Sequence, residues 1–157
     1  MNTLQLRALG PTLGSLALLL GAYGFQYIGG LQPCHLCLLQ RAPHGIAILI
    51  GILILAWPVR GFALLAGLVV LAGAVIAGYH VGVEQHWWAG PASCTSAAPV
   101  TGDPGALLDQ ILATPTVLCD AIAWSWLGIS MAGWNAIASL VLGWLWFRAY
   151  ASSSASQ

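Results

Sequence analysis

The sequence predicts an all-α membrane protein: a four-transmembrane-helix bundle with a short and a long loop on one side. Three observations carry this. Of the 157 residues, 59% are hydrophobic and 5% are charged, against roughly 25% charged in a soluble domain. So few charges cannot cover a water-soluble fold of this size, so lipid is the solvent for most of the chain. Four apolar stretches, about 11–28, 37–57, 61–83 and 126–147, are each about long enough to cross roughly 30 Å of hydrocarbon as a helix. The arginines sort by side, as set out below. Residues 1–157 form a single membrane domain, with no basic patch for nucleic acid and no net charge to steer acidic partners.

The first span follows Arg7, a placement shared with secretory signals, but the run is long and no A-x-A site follows it. It is read as a retained span. Span two opens within "LQPCHLCLLQRAPHG", Leu31 to Gly45, at about Cys37. Pro43 in that stretch removes a backbone N–H and either bends the helix or sets its true start. Span three contains Gly67, Gly73 and Gly78, residues that let helices approach closely in lipid. The long loop, about 84–125, begins irregularly in "GPASCTSAAPVTGDPG". Asp103 can cap a short helix there, with Pro104 at its first position. Leu107, Leu108, Ile111 and Leu112 share a face of that helix, which would lie on the membrane surface. Trp87, Trp88, Trp124 and Trp126 flank the loop as interfacial anchors, and Trp144, Trp146 and Tyr150 mark the opposite interface.

Arg7, Arg60 and Arg148 all fall on one side of a four-span chain, which the positive-inside rule makes cytoplasmic. Both termini are then cytoplasmic. Glu84, Asp103, Asp109 and Asp120 lie in the long loop opposite. Arg41 breaks the rule, which invites a functional explanation.

All four cysteines fall on the outer side, Cys34 and Cys37 ending the short loop and Cys94 and Cys119 in the long one. In a bacterium that compartment is oxidising, so disulfides persist there. The four allow three connectivities. Cys34 and Cys37 have the CxxC spacing of a tight redox-active disulfide at a helix start, where unpaired N–H groups favour thiolate. Arg41, four residues after Cys37, shares its helical face and can stabilise a Cys37 thiolate or a reduced oxygen on a bound acceptor. Competing readings remain open at this point: static disulfides, a four-thiolate zinc cluster of Cys34, Cys37, Cys94 and Cys119, and an Arg41 that merely snorkels. A c-type haem would need His after the second cysteine, and Leu38 is there. The wide spacing of Cys94 and Cys119 suits a pair that meets a soluble partner and then approaches the CxxC, with a lipid-soluble quinone as the two-electron sink.

The chain resembles the DsbB family of membrane disulfide oxidoreductases over nearly all its length. "PCHLCLLQR" and "QRAPHG" match the family's cysteine pair, arginine and following proline. "HVGVEQHWW", His80 to Trp88, resembles the approach to its second outer loop, and "CDAIAWSWLGISMAGWN", Cys119 to Asn135, the return into its fourth span. The resemblance implies a bundle in the bacterial inner membrane that reoxidises a DsbA-like periplasmic thiol oxidase and passes electrons to the quinone pool, ubiquinone or menaquinone. It implies that Cys94 forms the mixed disulfide, Cys119 attacks Cys34, and Cys37 is released facing the quinone beside Arg41. His80 becomes a candidate quinone neighbour, or else an ordinary hydrogen-bonded interfacial residue; by spacing, Glu84 can pair with it or deliver protons. No metal is implied. Gln40 departs from the acid some members carry, so no carboxylate is assumed there, and the serine-rich tail has no charge. A vitamin-K-epoxide-reductase-like enzyme shares the logic but places its CxxC near a later span. The rival class is a non-catalytic four-span scaffold.

Overall fold

The structure, a computed structural model, describes residues 1–91, 94, 105 and 117–152. Among these, α1 (Thr3–Tyr27), α3 (Arg41–Ala56), α4 (Arg60–Glu84) and α5 (Met131–Ser152) are long, and α2 (His35–Leu39) is a short turn of helix leading into α3. The proposed Asp103 cap, the amphipathic segment around Leu107–Leu112 and the end of the serine tail lie outside the described residues.

The first helix begins at Thr3 rather than near Pro11, because its start is built by a reciprocal cap. Asn2 Oδ1 accepts the Gln5 N–H at 2.9 Å, and Gln5 Oε1 accepts the Asn2 N–H at 2.8 Å. The Gln5 amide also donates to the Leu55 carbonyl at 2.9 Å, tying the start of α1 to the end of α3. Pro11 stands inside α1 and is buried. Pro43 does set a start. It lies in the first turn of α3, where a missing N–H costs least, and Gln40 separates α2 from α3.

Thr3–Tyr27, the α2–α3 unit His35–Ala56, and Arg60–Glu84 are long and apolar enough to cross a membrane. The 22-residue α5 has comparable length, its run diluted by Trp134, Asn135, Trp144 and Trp146. It starts later than expected because residues 125–130 form a tight hairpin. There β1 (Ser125–Trp126) pairs antiparallel with β2 (Ile129–Ser130). Leu127 (φ 53°) and Gly128 (φ 78°) make the two-residue turn, both with positive φ as a primed turn demands.

The long helices pack in a ring, α1 on α3, α3 on α4, α4 on α5, and α5 back on α1. Two of the three glycines singled out in α4 serve close approach. A Cβ at Gly67 would stand 3.3 Å from Trp146 and Phe147, and one at Gly73 would stand 3.0 Å from Pro43, whereas Gly78 faces open space. One buried cluster fills the end where the arginines gather, with Leu4, Ala47, Ile54, Ala63, Val70 and Trp146 among its members. Trp146 is fully buried there, so it is core and not an interfacial anchor. Trp144 stays exposed with the Arg148 guanidinium over its ring, and Arg60 lies over the Tyr150 ring. The second cluster, at the other end, contains Cys34, Leu36, Val83, Cys94 and Cys119.

Candidate active site

The site grows from the break between α2 and α3. Gly30, with φ +69°, and Pro33 turn the chain out of α1. Cys34 then caps α2, its sulfur accepting the Cys37 N–H at 3.2 Å. The x-x spacing brings the two free sulfurs within 2.8 Å of each other, Cys34 buried and Cys37 half-buried. Hydrogen bonding from the Cys37 thiol, opposed by burial and reinforced by His80 and the Cys37 N–H, holds the Cys34 thiol down to about 4. In this reduced pair the negative charge therefore belongs to Cys34. The expectation of a thiolate on Cys37 concerns a different state, one in which Cys34 is bonded to Cys119.

Cys94 and Cys119 are joined as a disulfide, with Cα atoms 4.8 Å apart and 25 residues between them. Both are fully buried against Cys34 and Val83. The Cys119 N–H donates to the Cys94 carbonyl at 2.7 Å, and the Cys119 carbonyl lies 3.2 Å from His80 Nε2. All four predicted cysteines thus meet at one end of the bundle. The four-thiolate zinc cluster is not what this arrangement holds, since two of its thiolates are consumed in the disulfide. Cys34, Cys37 and His80 still offer three ligand atoms within 4.8 Å of one another.

His80, on the last turns of α4, is buried and central. Its Nε2 lies 3.6 Å from Cys34 Sγ, and its Nδ1 lies 2.8 Å from the Gln40 amide nitrogen. Glu84, one turn on and also buried, approaches His80 at 4.0 Å and accepts a short hydrogen bond from Ser130. The spacing argument that paired these two thus holds in space, with Ser130 as the carboxylate's second partner.

An apolar cavity of about 370 Å³ opens beside the cysteines. Leu18, Ala22 and Phe25 of α1 line it, with Trp124, Met131 and Trp134 from the hairpin region and α5. Cys34, Cys37, Arg41, His44, His80 and Asn135 supply its polar points. Arg41 reaches across to α1, donating to Gln26 Oε1 at 2.7 Å, and its guanidinium covers the Tyr23 ring at 4.9 Å. Helical spacing led to an expected Arg41–Cys37 pairing. Because α2 stops at Leu39, the two residues stand on separate helices and share the cavity wall.

Sequence reasoning missed Gln40, His44 and Asn135 as site residues. Gln40 Oε1 accepts from Asn135 Nδ2 at 2.8 Å, and Asn135 Oδ1 lies 3.1 Å from His44 Nε2. Ser15 and Ser139 complete the surroundings of His44 at 3.5 and 3.4 Å. The available signal was polarity itself, because amide and imidazole side chains inside a span are costly unless partnered and mark functional sites.

A dithiol with one low-pKa sulfur, packed on a buried disulfide and next to an apolar cavity, is equipped to exchange bonds between the two sulfur pairs. Comparison with known proteins agrees. The family model "Disulfide bond formation protein DsbB" matches residues 5–149. A disulfide bond formation protein B of Nitrosococcus oceani is 32% identical over 152 residues, covering 86% of this chain and 83% of that protein. One of Methylococcus capsulatus is 33% identical over 137 residues, covering 81% and 82%. One of Mannheimia succiniciproducens is 34% identical over 125 residues, covering 76% and 70%. No solved structure matches the chain. The resemblance carried by the cysteine, arginine and His80 motifs is thus borne out over nearly the whole length, and the chain belongs to the DsbB family of disulfide bond formation proteins.

Proposed function

We propose that this multi-pass membrane protein is a quinone-dependent generator of disulfides, reoxidising a DsbA-like thioredoxin-fold thiol oxidase of the periplasm. The observation that carries this reading is the packing of the Cys94–Cys119 disulfide in one buried cluster with Cys34, while Cys37 faces an apolar cavity with Arg41 on its wall.

The exchange steps balance as follows. A thiolate of the reduced partner attacks Cys94 Sγ, breaking the Cys94–Cys119 bond and releasing a Cys119 thiolate. Cys119 attacks Cys34 of a Cys34–Cys37 disulfide, and Cys37 leaves as thiolate. The partner's second thiol displaces Cys94 and the oxidised partner departs. Cys94 then attacks Cys119, freeing Cys34. The sum moves two electrons and two protons from the partner's dithiol to Cys34 and Cys37, and ends in the arrangement described here: a Cys94–Cys119 disulfide beside a Cys34/Cys37 dithiol.

Returning Cys34 and Cys37 to the disulfide needs a two-electron sink, which ubiquinone or menaquinone supplies when bound. The cavity fits such a molecule in being apolar and large enough for a ring. Arg41, held by Gln26 and Tyr23, would hold its charged fork at the wall. His80 would keep its ring against Cys34.

The same reading makes residues 1–157 one domain with α5 as a fourth span. Arg7, Arg60 and Arg148 at one end support cytoplasmic termini in the bacterial inner membrane, with the cysteines on the periplasmic side. The decisive experiment is anaerobic quinone reduction by the purified protein, driven by a reduced thioredoxin-fold partner. Quinol should form in proportion to partner disulfide. A partner lacking its resolving cysteine should be trapped on Cys94, the adduct lost in Cys94→Ser and accumulated in Cys119→Ser. Absence of quinol, or trapping on Cys119, would overturn the scheme.

A further inference from the structure

The orientation of one amide decides the state of His80. Gln40 is buried, and its Nε2 stands 3.2 Å from the Leu36 carbonyl and 2.8 Å from His80 Nδ1. A carbonyl oxygen can only accept, so the Gln40 nitrogen, and not its oxygen, must occupy that corner. The nitrogen then donates to His80 Nδ1, which is thereby an acceptor without a proton. A neutral imidazole carries its one hydrogen on the other nitrogen. That nitrogen, Nε2, faces Cys34 Sγ at 3.6 Å and the Cys119 carbonyl at 3.2 Å.

The same logic runs the other way along the chain of contacts. Gln40 Oε1 must accept, so Asn135 presents its Nδ2 there at 2.8 Å. Asn135 Oδ1 is left facing His44 Nε2 at 3.1 Å, which must carry a hydrogen. His44 Nδ1 is then free to accept from the Ser15 hydroxyl at 3.5 Å. From a single backbone carbonyl, every donor in the series points the same way: Ser15, His44, Asn135, Gln40, His80, and finally the Cys34 sulfur.

We propose that Gln40 is a positioning residue, locking His80 as a neutral Nε2–H donor to the Cys34 sulfur and the Cys119 carbonyl, with Asn135 holding Gln40 in place. The inference rests on the reading of Cys34 as an exchanging sulfur, but its content is a protonation state. It denies His80 the part of a base toward Cys34. The nitrogen that faces the sulfur already holds a proton, and the other is engaged as an acceptor, so a proton leaving Cys34 must go elsewhere. Among the described residues, the remaining titratable groups around Cys34 include Cys37 on α2 and Glu84 on α4, the latter 4.0 Å from His80 and bonded to Ser130.

The test is nitrogen-15 spectroscopy of histidine-labelled, reduced full-length protein in detergent, with His80→Phe identifying the His80 signals. Wild type should show a protonated Nε2 and an unprotonated Nδ1 at neutral pH. An Nδ1–H tautomer or a doubly protonated ring would overturn the proposal. Gln40→Met keeps the bulk and removes the donor, and His80 should then either mix tautomers or begin to titrate. A His80 spectrum unchanged in Gln40→Met would also overturn it. The pH midpoint of site-resolved Cys34 alkylation should rise by about one unit in His80→Phe, the equivalent of a tenfold loss of thiolate below both midpoints; an unchanged midpoint would remove His80 as a donor. None of these readouts uses quinone or partner, so they can fail while quinone reduction succeeds, and the reverse.

Discussion

The two ends of the bundle are built on opposite terms. At the arginine end, Leu4, Ala47, Ile54, Ala63, Val70 and Trp146 make an apolar core, and the cations stay at its rim over Tyr150 and Trp144. At the cysteine end, Gln40, His44, His80 and Glu84 are buried around a cavity, with buried Ser130 bonded to Glu84. Packing in lipid rewards the first arrangement through close van der Waals contact. The second carries polar groups that cost free energy in lipid unless each finds a partner, and the structure supplies those partners one by one. Stability and chemistry are thus lodged in different halves of the same helices, and mutations should separate them.

The widest separation is expected from a pair of variants. Cys34→Ser should reduce thiol-driven turnover at least about 10³-fold, as removal of a nucleophile that acts as part of a unit does, with the thermal midpoint in detergent unchanged. Trp146→Ala should do the reverse, losing about 3–5 kcal/mol of stability to the cavity it leaves while each folded molecule keeps its turnover. If both variants lose both properties, the two ends are not independent.

A pH series sharpens the same contrast at the cysteine end. Cys34 has its pKa lowered to about 4, so its thiolate is fully present at neutral pH and is lost as pH falls through that value. An unperturbed thiol, with a pKa of about 8.5, would already lose roughly 300-fold in thiolate at pH 6. Site-resolved alkylation of Cys34 in the reduced protein should be nearly flat from pH 8 to about 5 and should drop below about 4. A tenfold fall per unit through the neutral range would refute the low pKa.

Arg41 should give a smaller effect. Arg41→Lys keeps the charge but loses the planar fork that binds Gln26 and covers Tyr23. Its quinone KM should rise a few-fold and that of Arg41→Ala about tenfold; unchanged kinetics in Arg41→Ala would leave it a packing residue between α1 and α3. The smallest expected effect comes from two glycines of one helix. Gly67→Ala puts a methyl 3.3 Å from Trp146 and Phe147 and should destabilise, whereas Gly78→Ala meets nothing within 4 Å and should stabilise by up to about 1 kcal/mol through helix propensity. Equal midpoints for the two would mean the α4–α5 seam has slack.

How legible this was in the sequence depended on whether a feature was local. The apolar runs, the CxxC, the pairing of His80 with Glu84 by spacing and the gathering of arginines at one end could all be read along the chain. The ends of the helices could not. The Asn2–Gln5 cap extended α1, and the Leu127–Gly128 turn delayed α5, each through side-chain or backbone geometry that hydropathy ignores. Trp146 was misassigned because a tryptophan near a span's end reads as an anchor until its neighbour is known to be a glycine. Gln40 was noticed only for not being an acid. Its use depends on Asn135, 95 residues away, and on a backbone carbonyl whose position no pattern reveals.

The complete burial of Cys94 and Cys119 has a kinetic consequence. A sulfur shielded on all sides cannot be reached along the line of its disulfide bond, so exchange must wait for this corner of the molecule to lift. The observed rate is then the open fraction multiplied by the rate of attack. A small thiol such as dithiothreitol should therefore reach a plateau as its concentration rises, limited by opening alone. A partner that binds the lifted form more tightly raises the open fraction itself and can exceed that plateau. Selectivity for a protein thiol over the small thiols around it then resides in binding the opened form, before any sulfur is touched.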